Sequence, residues 1–463
     1  MRLILTIFMT VVMATWVHGQ SNVRMVLTKV HVNDQWKAYP TRTLSDLPAT
    51  VTEKADSTLD EFGGLLACKL QATGFFYPTN YNGRWWLVDP QGCLFLDKGV
   101  NSVKTLPGAN LNEVMIKEFG SQSNWAVQTI SLLRANGFNN FGAWSDTVAL
   151  RQVPHPMSYT LILGFMSGYG AKRGGTFAQP GHTGYPKDCI FVFDPGFEVY
   201  CDERARELAQ YKNDPWLLGY FSDNEMPLYR TALRDYLKLP PQDPGYQAAW
   251  RWLKARHGKK ATDEKITWHD EQEFLAFVVG RYFSIVSSAI KKYDPNHLLL
   301  GSRFHGRVLG ESEVFKAAGP YVDVVSVNYY NAWTPSQKRL SMWEHESGRP
   351  VLISEWYTKA EDSGLANTGG AGWIVKTQAD RGFFYQNFAL ALLQSKSCIG
   401  WNWFKYADND PADTSADPSN RDSNKGIVNT HYQPYQTLLD AMKPLNDRAY
   451  SLAEYFAGSV PDN

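Results

Sequence analysis

Neither sign of charge is in excess: 46 Lys and Arg stand against 46 Asp and Glu. A neutral chain lacks the basic surface needed to grip nucleic acid or a strongly anionic polymer, so no nucleic-acid partner is expected. Cysteine is scarce, at five in 463 residues. That is too few for a disulfide scaffold, and no Cys/His spacing matches a zinc site; neither metal nor cofactor is expected. The Asn-x-Ser/Thr sequon is missing, which excludes N-glycosylation. No solenoid repeat, low-complexity tract or Gly-rich phosphate loop after a first strand is present. Beyond the N-terminus no segment reads as long and apolar enough to cross a bilayer.

What is present begins with MRLILTIFMTVVMATWVHG: one Arg, a short apolar run, and a small residue before Gln20. This is the pattern of a cleavable secretory signal over residues 1–19. A membrane anchor is the alternative, disfavoured by the shortness of the run. A secreted, extracellular chain with no membrane partner after cleavage is expected. In that compartment Cys189 and Cys201, which flank FVFDPGFE, are the favoured disulfide, with Cys68–Cys93 a weaker pairing and Cys398 alone. Aromatic residues make up 14%, including 16 Trp and 24 Tyr. So many amphipathic rings suit a cleft that stacks against bulky neutral substrates as well as a packed core.

Residues 20–83 read as a small β-rich N-terminal extension packed on the main domain. From residue 84 two apolar runs flank Asp89-Pro90-Gln91-Gly92, a hairpin signature. Strand-like runs then alternate with amphipathic stretches: CLFLDKGVNSV, NGFNNFGAW, YTLILGF, LLGYFSDNE, HLLLGSRF, VDVVSVNYY, VLISEWY and CIGWNWFKY. This count predicts an α/β fold, a (β/α)8 TIM barrel over 84–455 with long βα loops at 165–188, 238–265 and 407–424. An open doubly wound sheet is the alternative.

In such a barrel the C-terminal strand ends build the site. Those ends carry Asn101, Trp144, Asp223-Asn224-Glu225, Arg303, His305, Asn328-Tyr329-Tyr330, Glu355-Trp356, Trp401 and Trp403. Glu225 and Glu355 close the fourth and seventh strands. Two carboxylates facing across a barrel mouth can flank one scissile glycosidic bond, one protonated for the leaving oxygen and one ionised for the anomeric carbon. Asp223 is expected to raise the pKa of Glu225 by its like charge. Lys98 and Lys405 are candidate subsite residues. Asp408 and Asp410 are expected to be solvated, and so is the basic run KARHGKK (254–260).

These motifs resemble clan A glycoside hydrolases, and more narrowly the β-agarases of glycoside hydrolase family 50. The stretches that carry the resemblance are RWWLVDPQGCLFLDKGVNSV, VFDPGFE, LLGYFSDNEMP, DPNHLLLGSRF, VDVVSVNYY, RPVLISEWY, ADRGFFYQNFALALL and NKGIVNTHYQPY, in order over most of 84–440. The resemblance implies a retaining β-glycosidase acting on a polysaccharide or oligosaccharide, a β-galactan such as agarose first, with β-mannan, β-glucan or a non-catalytic sugar-binding barrel as alternatives. It makes Glu225 the acid/base and Glu355 the nucleophile. Asn224 would contact the 2-hydroxyl, Tyr329 or Tyr330 would bond the nucleophile, and Trp401 with Trp403 would form the floor of the sugar subsite. The sequence departs from the family at Trp356-Tyr357 and at GWNWFKYADND, loops that shape subsites. Near-zero net charge favours a neutral galactan over a heavily sulfated one.

Overall fold

The computed structural model describes residues 23–458 apart from 54, 57, 259 and 260. The expected signal segment 1–19 lies outside the described residues. Eight parallel strands form the central sheet: β1 (Asp97–Val100), β2 (Asn140–Phe141), β3 (Ser158–Ile162), β4 (Leu217–Phe221), β5 (Leu298–Leu299), β6 (Val325–Asn328), β7 (Val351–Trp356) and β8 (Cys398–Trp403). Their order is β5-β4-β3-β2-β1-β8-β7-β6. The β5–β6 seam is drawn together by a parallel bridge between Phe304 and Val327 and by the Phe304 N–H donating to Ser326 O at 2.9 Å. The chain is thus a (β/α)8 TIM-type barrel, as its alternating strand and helix pattern predicts.

The floor of the barrel is closed by an antiparallel sheet of Leu65–Lys69, Cys93–Phe95, Arg84–Val88 and Tyr77–Tyr81. Phe62, Phe76, Leu87 and Phe95 from this region pack with Leu218, Leu300, Val324, Leu352 and Ile399 in one apolar cluster. The hairpin at 89–92 is present, with Val88 opposite Leu94. A boundary at 83/84 nevertheless cuts this sheet, because Tyr77–Tyr81 pairs with Arg84–Val88; the floor belongs to both sides of the expected division. Farther forward, Met25–Lys29 pairs with Trp373–Val375 from the loop after β7.

One helix, Trp268–Tyr293, does reach the length and mean hydropathy of a membrane span, contrary to the sequence reading. Its Phe274, Leu275, Val278, Val279 and Phe283 are buried in the core, and that packing accounts for its apolar composition.

The Cys189–Cys201 bridge is corrected. All five cysteines are free, and Cys189 and Cys201 are both buried. Cys201 faces inward from the helix Pro195–Ala205 beside Phe197 and Ala205, while the Cys189 thiol donates to Lys187 O at 3.3 Å. Closeness in sequence does not pair the two sulfurs here, because Cys201 is fixed on the helix and the Cys189 thiol is turned to Lys187 O. Burial pushes the Cys189 and Cys201 thiols far up, and Cys93 to about 12. Alkylation under denaturing, non-reducing conditions should therefore label five thiols. A disulfide-linked peptide would contradict this arrangement.

Candidate active site

Alternation along the strands decides which residues reach the mouth. Neighbours on β7, Glu355 and Trp356, face opposite ways. Glu355 points into the barrel mouth, and Trp356 stacks on Phe388 at 4.4 Å and Tyr385 at 5.0 Å on the helix Gln378–Gln394. After β6 the same split separates Tyr330, whose hydroxyl bonds Glu355 Oε2, from Tyr329, which packs on Trp343 and Phe388. On β8, Trp401 and Trp403 do share one side, but it is the helix side: Trp401 donates to Tyr385 OH at 2.9 Å and Trp403 to Lys425 O at 2.9 Å. Trp356, Tyr329, Trp401 and Trp403 are thus corrected from substrate contacts to buried packing. Asn101 is corrected too, since its amide lies beneath the mouth and donates to Ser354 O at 2.8 Å.

The residues brought together are Glu225, Glu355, Asn224, Arg303, His305, Asn328, Tyr330 and Trp144. Arg303 is fully buried and spans the pair, donating from Nε to Asn224 Oδ1 at 2.8 Å and from its terminal nitrogen to Glu355 Oε1. The guanidinium supplies the counter-charge for an anionic Glu355, and Tyr330 holds the other oxygen. Asn328 donates to Glu225 Oε1 at 2.7 Å and to Asn224 Oδ1 at 3.3 Å. A continuous network therefore connects both carboxyls.

Glu225 sits in a different electrostatic setting. Its side chain is only 8% exposed, and burial, reinforced by the charge of Glu355, raises its pKa to about 8. Asp223 does not contribute, contrary to expectation. Its carboxylate turns away to accept Met166 N at 2.8 Å, Ser167 N at 3.0 Å and Tyr282 OH at 2.6 Å, tying the end of β4 to the helix after β3 (Phe165–Arg173) and to the helix Trp268–Tyr293. His305 Nδ1 lies 3.5 Å and His182 Nδ1 3.9 Å from Glu225 Oε2. Burial and then His182 lower the pKa of His305 to about 4, so His305 is a neutral neighbour.

Ser102, Trp144, Glu225 and Arg303 all adopt positive φ, at 53°, 61°, 51° and 55°. Each such non-glycine residue costs about 1–3 kcal/mol. All four follow the ends of barrel strands (β1, β2, β4 and β5), so the strain is concentrated at the mouth.

The mouth opens into a cavity of 880 Å³ whose lining includes Trp144, His182, Glu225, His305, Tyr330, Glu355, Tyr357 and Phe404. Two of the three expected insertions build its walls. A hairpin, Phe177–Gln179 with His182–Gly184, reaches over from the loop after β3. There Gly181 N–H donates to Asp417 Oδ2 of the loop after β8 at 2.8 Å. The insertion at 238–265 carries the helix Pro244–His257 and does not line the cavity.

Asp408 is corrected from solvated to buried: it accepts Gly426 N at 2.7 Å, Lys425 N at 2.8 Å and Tyr435 OH at 2.7 Å, and so holds the loop base. Lys98 is spent on Asn446 O at 2.9 Å outside the mouth, whereas Lys405 does line the cavity. Tyr357 and Phe404, from the two stretches expected to shape subsites, do line the cavity, whereas His182 and Lys425 were not singled out from sequence. His182 lies in the Gly-rich insertion, and Lys425 lies in NKGIVNTHYQPY, one of the motifs that carried the resemblance.

Comparison with known proteins agrees with this geometry. No protein-family model matches the chain. Beta-agarase B of Vibrio sp. (strain JT0107) is 26% identical over 483 residues, covering 83% of this chain and 49% of that protein. Beta-agarase A of the same strain is 24% identical, covering 80% of this chain and 45% of that protein. The chain thus spans about half the length of the curated relatives it matches. Among solved structures, BpGH50 superposes with a TM-score of 0.82 at 28% identity, covering 94% of this chain and 96% of the other. An exo-beta-agarase superposes with a TM-score of 0.70 at 22% identity, covering 88% and 69%, which speaks to fold alone. The chain resembles the family 50 β-agarases in sequence and in fold.

Proposed function

We propose that the protein is a retaining glycoside hydrolase that cleaves a β-galactan such as agarose. The observation that carries this reading is the split environment of its two mouth carboxyls. Glu355 faces a guanidinium and a phenol, while Glu225 is buried and protonated up to about pH 8. One is thereby suited to attack and the other to give up a proton. In the first step a Glu355 oxygen bonds the anomeric carbon as the glycosidic C–O bond breaks, and the leaving oxygen takes the Glu225 proton. In the second, water bonds the anomeric carbon, Glu355 leaves, and Glu225 takes the proton back. Asn224, half-buried beside Glu225, would meet a sugar hydroxyl, and Trp144, Tyr357 and Phe404 offer apolar ring faces; Asn328 is fully buried and acts by holding Glu225.

The contact between Gly181 and Asp417 spans the mouth beside Glu225. A roofed cleft favours a substrate that enters by its chain end, so exo-action is the expected mode. A gel-forming polymer does not enter cells, and the leader-like residues 1–19 are consistent with export to it.

Incubation with agarose, porphyran, carrageenan, mannan and laminarin, followed by product sizing and anomer assignment by NMR, tests the reading. A short oligosaccharide of uniform size, released from agarose with retained configuration, is expected. Hydrolysis of mannan or laminarin alone would replace the galactan assignment, and an inverted product would remove the retaining mechanism.

A further inference from the structure

Three lysines, Lys104, Lys405 and Lys425, line the same cavity, which is unexpected in a cleft for an uncharged polymer. Lys405 is 8% exposed and Lys425 is 2% exposed. Lys425 Nζ donates to Ser419 O at 2.6 Å and Asn420 Oδ1 at 2.7 Å and rides over the Tyr357 ring at 4.4 Å. Lys405 Nζ bonds only the Asn409 amide oxygen. Among the described residues none of the three meets a carboxylate as a salt bridge; Lys405 and Lys425 bond carbonyl and amide oxygens.

The acidic groups nearby are already committed. Asp408 is saturated by backbone N–H groups, Asn424 and Tyr435. Asp417 accepts from Gly181 N and Ser419 N, Asp413 from Ser415, and Glu225 and Glu355 belong to the catalytic pair. The amines also oppose one another. Burial lowers the pKa of Lys405 to about 8, with Asp408 and Asp417 opposing and Lys104 adding to it; burial with Lys359 and Lys405 holds Lys425 well down, against Glu355 and Asp417. The carboxylates that face Lys405 are bonded to other donors, so its buried ammonium is only partly compensated, and a ligand anion at the cavity wall would complete the compensation. Lysine offers three rotatable donors on a point charge; Lys405 uses one of them, on Asn409, and Lys104 stands exposed at the cavity rim with its amine open to a ligand.

We propose that Lys405 and Lys104 form a subsite for an anionic substituent on the substrate, a sulfate ester on a galactose unit, so that this enzyme takes sulfated stretches of a galactan in preference to unmodified ones. This rests on the galactan-cleaving reading above. The neutrality of the whole chain does not argue against it, because the field a substrate meets is set by the cavity wall and not by the sum over the surface.

The test compares a neutral galactan oligosaccharide with its 6-O-sulfated counterpart, using the full-length protein. The wild type is expected to show a kcat/KM about ten times higher on the sulfated substrate, with an advantage that shrinks as salt is added. In Lys405→Met with Lys104→Met, the sulfated-to-neutral ratio should drop about tenfold, and Lys405→Arg should restore much of it. Equal or poorer turnover of the sulfated substrate, or an unchanged ratio in the double variant, overturns the subsite. Calorimetric binding of both oligosaccharides to the Glu355→Gln protein reads the preference without turnover. A protein that binds the sulfated form tightly and cleaves nothing therefore disproves the catalytic reading and not the subsite, while equal binding of the two disproves the subsite.

Discussion

Glu355→Ala is expected to lower turnover by roughly ten-thousand-fold or more on every substrate, whatever its leaving group. The reason is geometric. Glu355 is the carboxylate that Arg303 and Tyr330 fix at both oxygens, so no neighbour can take its place at the anomeric carbon. Removing its side chain empties a space beside Arg303, which is an anion site by construction. Azide filling that space would attack from the face Glu355 used and yield an α-glycosyl azide from an activated β-glycoside. Recovery of a β-glycosyl azide from this variant would exchange the roles of the two carboxylates.

Those two carboxylates were legible in the sequence because each ends an apolar run, and an acidic residue there is held at the mouth by the strand before it. The strand count was legible for the same reason. The facing of side chains was less so, and β8 shows why. Trp401 and Trp403 alternate with Asn402, and hydrophobicity normally sends the apolar side inward. In this barrel the inner face at β8 and β1 is polar: Asn402 donates to Asp97 at 2.8 Å, both fully buried. The apolar partners wait outside, on a helix (Gln378–Gln394) buried on nearly every side. With polar groups on the inside and tryptophans on the outside, amphipathicity alone does not tell the mouth from the shell.

The cavity walls were illegible for a different reason. His182 and Lys425 sit in segments with no periodicity, and their positions depend on contacts such as Gly181 with Asp417, separated by more than two hundred residues. Such contacts leave no mark on local pattern. The glycine-rich texture of 165–188 signals a turn-forming insertion but not the direction in which its tip points.

Glu225→Ala should fail in a way that Glu355→Ala does not. On the polysaccharide, whose leaving oxygen must be protonated, activity should fall by about 10²–10⁴-fold. On an aryl glycoside with a good leaving group the first step should survive, leaving the glycosyl-enzyme to accumulate for want of a base. Azide, which needs no base, should then release a β-glycosyl azide. The pH profile gives a second reading. Burial and the Glu355 charge raise the Glu225 pKa from 4.5 to about 8, so the acid form persists through neutral pH and polysaccharide cleavage should decline as pH passes about 8. Stability follows the same linkage. A carboxyl with a folded pKa above its unfolded value binds its proton more tightly in the native state. The stability this contributes is complete below pH 4.5 and is lost as pH rises toward about 8. Glu225→Gln cannot ionise, so it should flatten that decline in denaturant midpoint and remove the alkaline limb from activity on an aryl glycoside. An alkaline limb that stays in place in Glu225→Gln would assign the proton to another group at the mouth.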